Sequence, residues 1–596
     1  MFRRQLLKSV AAFPFAAAIA SPRTGLGAAP ALGRRIRPSD PAWPSEQSWA
    51  ALARAVGGRL VRPETVWAAC AAEPGTPHCL ASLKNLKNPF YLGDDPGGTQ
   101  VSGWLDAWTP KASAYAVVAA SAADVVEAVN FARRNSLRLV VKGGGHSYLG
   151  GSNAPDSLLV WTRAMNRIEL HDAFIPAGCA VPPVPAVTLD AGCMWIDAYA
   201  AVTTRAGRYV QGGGCASVGV AGLVQGGGFG SFSKRYGLAA ASLLQAEIVT
   251  ADGRLRTVNA VQEPDLFWAL QGGGGGSFGV VTKLTLKTHD LPKRFGFAGA
   301  KIRASSPDAY RRLVGRFVDH YAEALFNPHW GEAFNLYKDE VEISMVCQGL
   351  DDDEAKAIWA PFFDWVRASP HDYVFVEDAY IGASPARAWW DIDHNPTMIR
   401  DQRPEAAPGH GWWRGDREQV SMFVHGYDSQ WLPAALLEPD ARPRLTDALV
   451  AASQSMVVRL HFNKGLAGAS PEANAAARRC ATNPSVADAF CLVIVATGGA
   501  PPFPGLPGPK PDMAAAHRNA RDVAAAAAAL KTVAPDGGSY ISETDFFRPD
   551  WREAFWGANY SRLKAIKARY DPDGYFFVHH GVGSEDWSPD GFTRIA

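Results

Sequence analysis

The chain has 596 residues, so its length alone predicts two or more domains. Lysine and arginine together number 59 against 58 acidic residues, the net charge is +1, and no basic stretch stands out. This balance argues against a protein that binds nucleic acid or an anionic membrane, and it favours a small-molecule partner.

The chain begins with the pattern of a twin-arginine export signal. Arg3 and Arg4 precede an apolar run that ends in small residues, which predicts a signal peptide over residues 1–30 and a periplasmic or extracellular protein. A short amphipathic helix with an accidental arginine pair is the other interpretation, and it fits the position at the start of the chain less well. No later segment reaches 18 uninterrupted apolar residues, so no membrane span is expected.

Export permits disulfide bonds, and the eight cysteines include two closely spaced pairs. Cys70 and Cys79 flank a short segment with proline and glycine, and Cys480 and Cys491 are similarly close. Each pair could staple a loop, although the sequence does not fix the connectivity. No CxxC spacing occurs, so we expect no metal site.

Strand-like and helix-like segments alternate from about residue 113 to residue 290, which predicts an α+β or α/β domain with a nucleotide site. Ser121 and Asp124 stand at capping-box spacing at the start of a helical pattern, and Asp252-Gly253 predicts a hairpin turn between two strands. The segments read as strands are AYAVVAA, LRLVVKGGG, SLLVWT, AVTLDAG, SLLQAEIVT, GRLRTV and FGVVTKLTLKT, and those read as helices are SAADVVEAVNFARRNS, WIDAYAAVTTRAG and PDLFWALQGGGGG.

Long amphipathic helices and strands follow from about residue 300 to residue 530, and they predict a second domain in which a sheet is covered by helices. Residues 385–440 are rich in tryptophan, proline and glycine. We expect this segment to form loops over a site.

Two glycine-rich stretches surround potential nucleophiles. VVKGGGHSYLGG covers residues 140–151, and GRYVQGGGCASVGVAGLVQGGGFG covers residues 207–230. Glycines let backbone N–H groups approach a pyrophosphate closely. A nicotinamide-binding Rossmann site is disfavoured, because the first stretch leads into another loop and no suitably placed acidic residue follows it.

The chain resembles the berberine bridge enzyme-like branch of the vanillyl-alcohol oxidase superfamily over residues 110–290 and 535–585. Five segments carry the resemblance, and they occur in the order typical of that branch. They are VVKGGGHSYLGGS, GGGCASVGVAGLVQGGGFG, LQAEIVTADG, LFWALQGGGGGSFGVVT and FWGANYSRLKAIKARYDPDGYFF. VGSEDWSPDGF and LHFNKGLAG resemble the isoamyl-alcohol-oxidase-type members. The resemblance implies an α+β fold with a PCMH-type FAD-binding domain and a substrate domain that contains an antiparallel sheet covered by helices.

The resemblance also implies the domain boundaries. The expected order is the signal peptide 1–30, an N-terminal extension 31–109, the FAD-binding domain 110–295, the substrate domain 296–534, and a C-terminal segment 535–596 that returns to the FAD-binding domain.

In this family, the histidine at the position of His146 bonds to the 8α-methyl group of the flavin and the cysteine at the position of Cys215 bonds to C6, so the resemblance implies bicovalent FAD. An imidazole nitrogen and a thiolate are side chains able to add to an electrophilic flavin. The alternatives are a polar loop histidine and a small buried cysteine. The other implied contacts are Gly143, Gly144, Gly145, Ser147 and Ser152 at the pyrophosphate, Gly214, Val218, Gly219, Gly222 and Gly226 along the isoalloxazine and ribityl chain, and Val281 at the adenine end.

Val218 and Tyr540 bear on the reaction. A valine at the position of Val218 is associated in the family with oxidases, and a bulkier branched residue with dehydrogenases. Tyr540 stands where several members have a tyrosine that takes the proton of the substrate hydroxyl, although Ser542 replaces the usual asparagine two residues later. Tyr540 could equally be a core aromatic residue whose hydroxyl is hydrogen-bonded.

The resulting expectation is an exported FAD oxidase that moves a hydride from an alcohol or sugar hydroxyl carbon to flavin and then passes the electrons to dioxygen, giving hydrogen peroxide. The alternatives are a flavin dehydrogenase with another electron acceptor and a flavin-carrying binding protein without turnover.

Overall fold

The computed structural model describes residues 33–501 and 511–595. The predicted export signal lies outside these residues. Among the described residues, no helix is both long and apolar enough to cross a membrane.

Nineteen strands form the sheets of the described ranges. They are β1 Leu60–Val61, β2 Tyr115–Val118, β3 Leu139–Lys142, β4 Leu158–Trp161, β5 Ile168–Phe174, β6 Val184–Asp190, β7 Arg208–Val210, β8 Leu243–Val249, β9 Leu255–Asn259, β10 Val280–Asp290, β11 Arg294–Ala304, β12 Trp330–Leu336, β13 Glu340–Gln348, β14 Tyr373–Pro385, β15 Met398–Arg400, β16 Gly411–Trp413, β17 Phe423–Pro433, β18 Val458–His461 and β19 Ala489–Gly499.

Sixteen α-helices accompany the strands in the same ranges. They are α1 Glu46–Ala55, α2 Ala68–Ala72, α3 Pro77–Lys84, α4 Pro89–Gly93, α5 Ala122–Arg134, α6 Trp195–Tyr199, α7 Val220–Gln225, α8 Ser233–Tyr236, α9 Pro264–Leu270, α10 Pro307–His320, α11 Asp352–Arg367, α12 Arg442–Ser455, α13 Pro471–Ala477, α14 Met513–Lys531, α15 Trp551–Trp556 and α16 Tyr560–Tyr570.

A small sheet with the order β1-β2-β4-β3 carries the first glycine-rich loop at the end of β3. Strands β2, β4 and β3 are parallel, so β2 and β3 need a crossover, which α5 supplies. This helix begins as predicted, because Ser121 and Asp124 form a capping box.

A second sheet, with the order β5-β6-β10-β8-β9 and β7 paired with β10, is antiparallel. The Asp252-Gly253 turn joins β8 to β9 as predicted, with Gly253 at a φ of 75°. The second glycine-rich loop leaves β7 and enters α7. Both glycine-rich loops therefore project from the ends of short strands.

The third sheet has seven strands in the order β14-β11-β13-β12-β18-β19-β17, and every pair is antiparallel. Helices α10, α11, α12 and α14 cover one face, where Phe317 of α10 stacks on Phe334 of β12 with ring centroids 3.5 Å apart. The prediction of an antiparallel sheet covered by helices is confirmed. The uncovered face turns Phe297, Ser344 and Val346 toward the site described below.

The prediction of loops over residues 385–440 was wrong for β17. This strand is buried along nearly its whole length, so its sequence lacks the polar alternation that marks a strand with one solvent-facing side. The remainder of the segment forms loops, the short β15–β16 hairpin and 3₁₀ turns.

One of the two expected cysteine pairs forms a disulfide bond. Cys70 and Cys79 form a disulfide, whereas Cys480 and Cys491 are free thiols. The second pairing was therefore wrong. Cys491 lies on β19 and packs in the core between the seven-stranded sheet and its helices, while Cys480 follows α13 and packs in a different cluster with Leu238. Proximity in sequence does not bring their side chains together.

Candidate functional site

One large cavity, of about 1110 Å³, lies between the two glycine-rich loops, the uncovered face of the seven-stranded sheet and the loops of residues 389–422. It is slightly larger than the roughly 300–1,000 Å³ of a typical small-ligand pocket, which leaves room for a dinucleotide. The structure places every predicted site residue on its wall, namely Gly143, Gly144, Gly145, His146, Ser147, Ser152, Gly214, Cys215, Val218, Gly219, Gly222, Gly226, Val281 and Tyr540.

The two glycine-rich loops touch through their backbones. A Cβ on Gly144 would stand 2.8 Å from the Gly219 nitrogen and 3.0 Å from the Ser217 carbonyl oxygen, and a Cβ on Gly219 would stand 2.8 Å from the Gly144 nitrogen. Only glycine permits this approach. The contact brings His146 and Cys215, 69 residues apart in sequence, to the wall of the same cavity.

His146 is held as a neutral imidazole. Burial lowers its pKa to about 4, and its Nε2 atom forms a 3.0 Å hydrogen bond with Ser217 Oγ. A neutral ring keeps a nitrogen lone pair, which a nucleophile needs. Because Nε2 is engaged by Ser217, Nδ1 is the nitrogen available for another bond.

Cys215 is a free, partly exposed thiol in the second loop. Burial raises its pKa well above the ordinary value, and the charge of the neighbouring Asp416 carboxylate raises it further. The Trp413 Nε1–H donates to the Gly214 carbonyl oxygen over 3.1 Å. The loop segment that the sequence placed over a site therefore contacts the loop that carries the cysteine.

The residues present fit FAD. A Cβ on Gly222 would meet no atom within 4 Å, so the cavity comes directly against the backbone of α7. Among the described residues, the buried Ser277 Oγ and Gln225 Oε1 on the cavity wall have no hydrogen-bond partner. Buried polar atoms of this kind call for a polar ligand.

Tyr540 lies between α14 and α15 and contacts the end of the second glycine-rich loop. Its ring is buried and packs edge-on against Phe229, with ring centroids 5.0 Å apart. Burial raises its pKa above the ordinary value, Glu543 adds to that rise, and a hydrogen bond with Ser542 opposes it. A cationic side chain on this wall, Lys464, forms an ion pair with Glu543, with Nζ 2.5 Å from Oε2.

Two carboxyl groups on the cavity wall were missed by sequence reasoning. Glu332 has a left-handed φ of 64° in β12, its carboxylate accepts from the Ser231 hydroxyl, and burial raises its pKa. Asp416 follows β16, and burial raises its pKa to about 6. Neither residue belongs to a motif. A non-glycine residue held in the left-handed region within a strand is characteristic of a functional site, but it is visible only in the structure.

Comparisons with known proteins agree with this geometry. The sequence model of the family described as "FAD binding domain" matches residues 113–259, and that of "Berberine and berberine like" matches residues 539–583. FAD-linked oxidoreductase patO of Aspergillus clavatus is 29% identical over 588 residues, which cover 94% of this chain and 93% of that protein.

Solved structures share the fold. The VAO-type flavoprotein MtVAO615 from Myceliophthora thermophila superposes with a TM-score of 0.76 and 25% identity, covering 93% of this chain and 98% of that one. Glucooligosaccharide oxidase from Acremonium strictum, described with a 6-S-cysteinyl, 8α-N1-histidyl FAD, superposes with a TM-score of 0.62 and 18% identity, covering 81% and 94%.

The fold and the glycine-lined cavity define a PCMH-type FAD-binding protein of the vanillyl-alcohol oxidase class. The α+β fold implied by the sequence motifs is confirmed. Within that class, the chain is similar over 94% of its length to a curated FAD-linked oxidoreductase, residues 539–583 match the berberine-like family model, and the protein is an FAD-linked oxidoreductase enzyme.

Proposed function

We propose that the protein is an oxidase that removes a hydride from the hydroxyl-bearing carbon of an alcohol or sugar, with FAD attached to both His146 and Cys215. The observation that carries the proposal is the position of both nucleophiles on the wall of one dinucleotide-sized cavity, opposite a second domain's sheet. Bound FAD would supply the hydride acceptor, and dioxygen would then take the electrons.

The state of each nucleophile supports the double attachment. His146 is neutral, and its Nε2 atom is already paired with Ser217, so Nδ1 would carry the bond to the flavin. This agrees with the N1-histidyl attachment in the name of the glucooligosaccharide oxidase structure. Cys215 is the free thiol of the facing loop. The glycines and serines named above would hold the pyrophosphate and ribityl chain, and Val281 the adenine end.

Removal of the hydride requires a group that takes the hydroxyl proton, and we propose Tyr540 for this role. Its ring is on the cavity wall, and its hydroxyl is near the Gly228 backbone and Ser542. Burial and Glu543 oppose the phenolate, so deprotonated Tyr540 would be scarce at neutral pH but a strong base when formed. The substrate would lie between this side chain and the uncovered sheet face.

Two observations support an oxidase. Val218 lines the cavity beside Cys215, and a small side chain there leaves room for dioxygen. Solved structures with the same fold are named chitooligosaccharide oxidase and carbohydrate oxidase. The latter, from Microdochium nivale, is described in complex with a substrate analogue.

We also propose that the protein is exported by the twin-arginine route. The Arg3-Arg4 pair supports this, and so does the Cys70–Cys79 disulfide, because such bonds persist in oxidising compartments. Replacement of both arginines by lysine should leave the precursor in the cytoplasm. Normal export of the double-lysine variant would contradict the proposal.

A screen of alcohols, aldehydes and oligosaccharides for hydrogen peroxide release tests the function. We expect at least one alcohol or sugar to bleach the flavin without oxygen and to release peroxide in air. Bleaching that persists in air would instead assign a dehydrogenase, and no bleaching by any compound would assign a binding protein.

A further inference from the structure

The proposed double attachment leaves one chemical problem at Cys215. The thiolate is the nucleophilic form of cysteine, yet burial holds this thiol protonated, and the charges of Asp416 and Glu543 add to that effect. His146 is not available as its base, because its Nε2 atom is hydrogen-bonded to Ser217 and its Nδ1 atom is the one assigned to the flavin bond. A proton acceptor in direct contact with the thiol is therefore needed.

The structure assigns that acceptor to Asp416: we propose that its carboxylate takes the Cys215 proton as the sulfur bonds to flavin C6. This proposal rests on the proposed bicovalent FAD. Asp416 and Cys215 both line this cavity, and the Asp416 carboxylate is close enough to the thiol for its charge to raise the thiol's pKa. The Oδ2 atom of Asp416 is buried and has no hydrogen-bond partner among the described residues. The carboxylate is thus a neighbour of the reacting thiol and has an oxygen free to accept a proton.

The surroundings of Asp416 suit a base. Burial is the main cause that raises its pKa to about 6, and Glu332 raises it further, so the carboxylate is ionised at neutral pH yet binds a proton more readily than an ordinary aspartate. The short segment that carries it is anchored by the hydrogen bond from Trp413 to the Gly214 carbonyl. The base and the cysteine loop are therefore fixed to each other.

The attachment is an oxidation. The S–H bond of Cys215 and the C6–H bond of the flavin break, and one S–C6 bond forms. The thiol proton moves to Asp416, and two electrons are set free. Dioxygen, the oxidant that we assign to this step, accepts the two electrons and two protons and leaves as hydrogen peroxide, which returns Asp416 to its ionised form.

Alkylation of Cys215 in the purified, denatured holoprotein, read from the mass of its tryptic peptide, tests the proposal. The wild-type thiol should be blocked by flavin. Asp416→Asn keeps the size of the side chain and should leave Cys215 open to alkylation. During aerobic incubation, formation of the bond between Cys215 and the flavin should be about a hundredfold slower than in the wild type, as expected for loss of a positioned base. Asp416→Glu should restore the bond at least in part. The matched control Glu418→Gln removes an exposed carboxylate from the same short helical turn and should leave Cys215 blocked.

Flavin that remains on the denatured Asp416→Asn chain through His146 would show that folding and FAD binding are intact. A fully blocked Cys215 in Asp416→Asn would overturn the assignment. So would failure of Asp416→Asn and Asp416→Ala to fold while Asp416→Glu folds, since that result gives Asp416 a structural role. An alkylatable Cys215 in the wild type is a different outcome, which would refute the double attachment itself.

Discussion

Tyr540 carries the sharpest prediction at the scale of single residues. Tyr540→Phe keeps the ring and its contact with Phe229 but removes the hydroxyl. Because loss of a positioned general base costs about a hundred- to ten-thousandfold in rate, we expect anaerobic flavin reduction to slow by at least about a hundredfold. Stopped-flow absorbance with the substrate found in the screen measures this rate. A change in the rate of only a few-fold, with flavin still attached, would show that Tyr540 is a packing residue and not the base.

The pH dependence of flavin reduction identifies the base. A base must be deprotonated to act, and burial raises the pKa of Tyr540 above its ordinary value, so the active fraction should grow with pH throughout the neutral range. We expect the rate to increase by about tenfold per pH unit from pH 6 to pH 9, without a plateau. A profile that rises near pH 6 and then levels off would instead point to a carboxylate such as Asp416, whose pKa is about 6.

The sequence indicated the two nucleophiles but not their chemical state. His146 and Cys215 were found because glycines surround both and because the motifs resemble a known family. The carboxyl groups of Glu332 and Asp416 lie in ordinary sequence, and only the folded chain places them on the cavity wall. Burial and neighbouring charges, which decide the pKa of each group, depend on residues far away in sequence.

At the scale of elements, Gly144 and Gly222 have different functions: the first allows two loops to pack, and the second leaves space in the cavity. Alanine variants of the two residues distinguish these functions. A Cβ on Gly144 would collide with the backbone of the other glycine-rich loop, whereas a Cβ on Gly222 would project into the cavity. Gly222 lies within α7, where alanine is the better helix former by about 1 kcal/mol.

We therefore expect Gly222→Ala to fold with an unchanged or higher melting temperature but to bind much less flavin, because the methyl group occupies the space of the cofactor. Gly144→Ala should lower both the melting temperature and the flavin content. Thermal unfolding and the ratio of flavin to protein absorbance measure the two effects. Full flavin content in Gly222→Ala would show that the cofactor does not approach α7.

Helices and turns with a clear local sequence pattern were predicted correctly. The capping box of α5, the Asp252-Gly253 hairpin and the amphipathic helices α10 and α11 occur where their sequences place them. Strand β17 was missed because its residues are buried on both sides. The Cys480–Cys491 pairing was wrong because the packing of β19 and α13, not the distance along the chain, decides where the thiols lie.

At the scale of the whole molecule, a buried lysine connects α8 to the seven-stranded sheet and to the loop beside it. Lys234 of α8 donates to the carbonyl oxygens of Gly465, Ala467 and Phe490 over 2.6–3.0 Å, and burial lowers its pKa to about 7. Its removal leaves three carbonyl groups without their donor.

Lys234→Met should therefore lower the free energy of unfolding by about 2–5 kcal/mol, while the exposed control Lys338→Met should change it by less than about 0.5 kcal/mol. Chemical denaturation followed by tryptophan fluorescence measures both. Equal stability of the two variants would show that the Lys234 contacts contribute little to holding α8 against the seven-stranded sheet.

In the proposed account, segments that are far apart in sequence and belong to different proposed domains together form the cavity that holds the bicovalent cofactor. His146, Cys215, Asp416 and Tyr540 come from four separate stretches and line that cavity together. The central claim is that FAD is bonded to the first two.

Acid precipitation of the wild type and of the His146→Ala, Cys215→Ala and double variants tests that claim most directly. The wild-type pellet should stay yellow, each single variant should keep its flavin through the remaining bond, and the double variant should release all flavin into the supernatant. Complete release of flavin from the denatured wild-type protein would contradict the account.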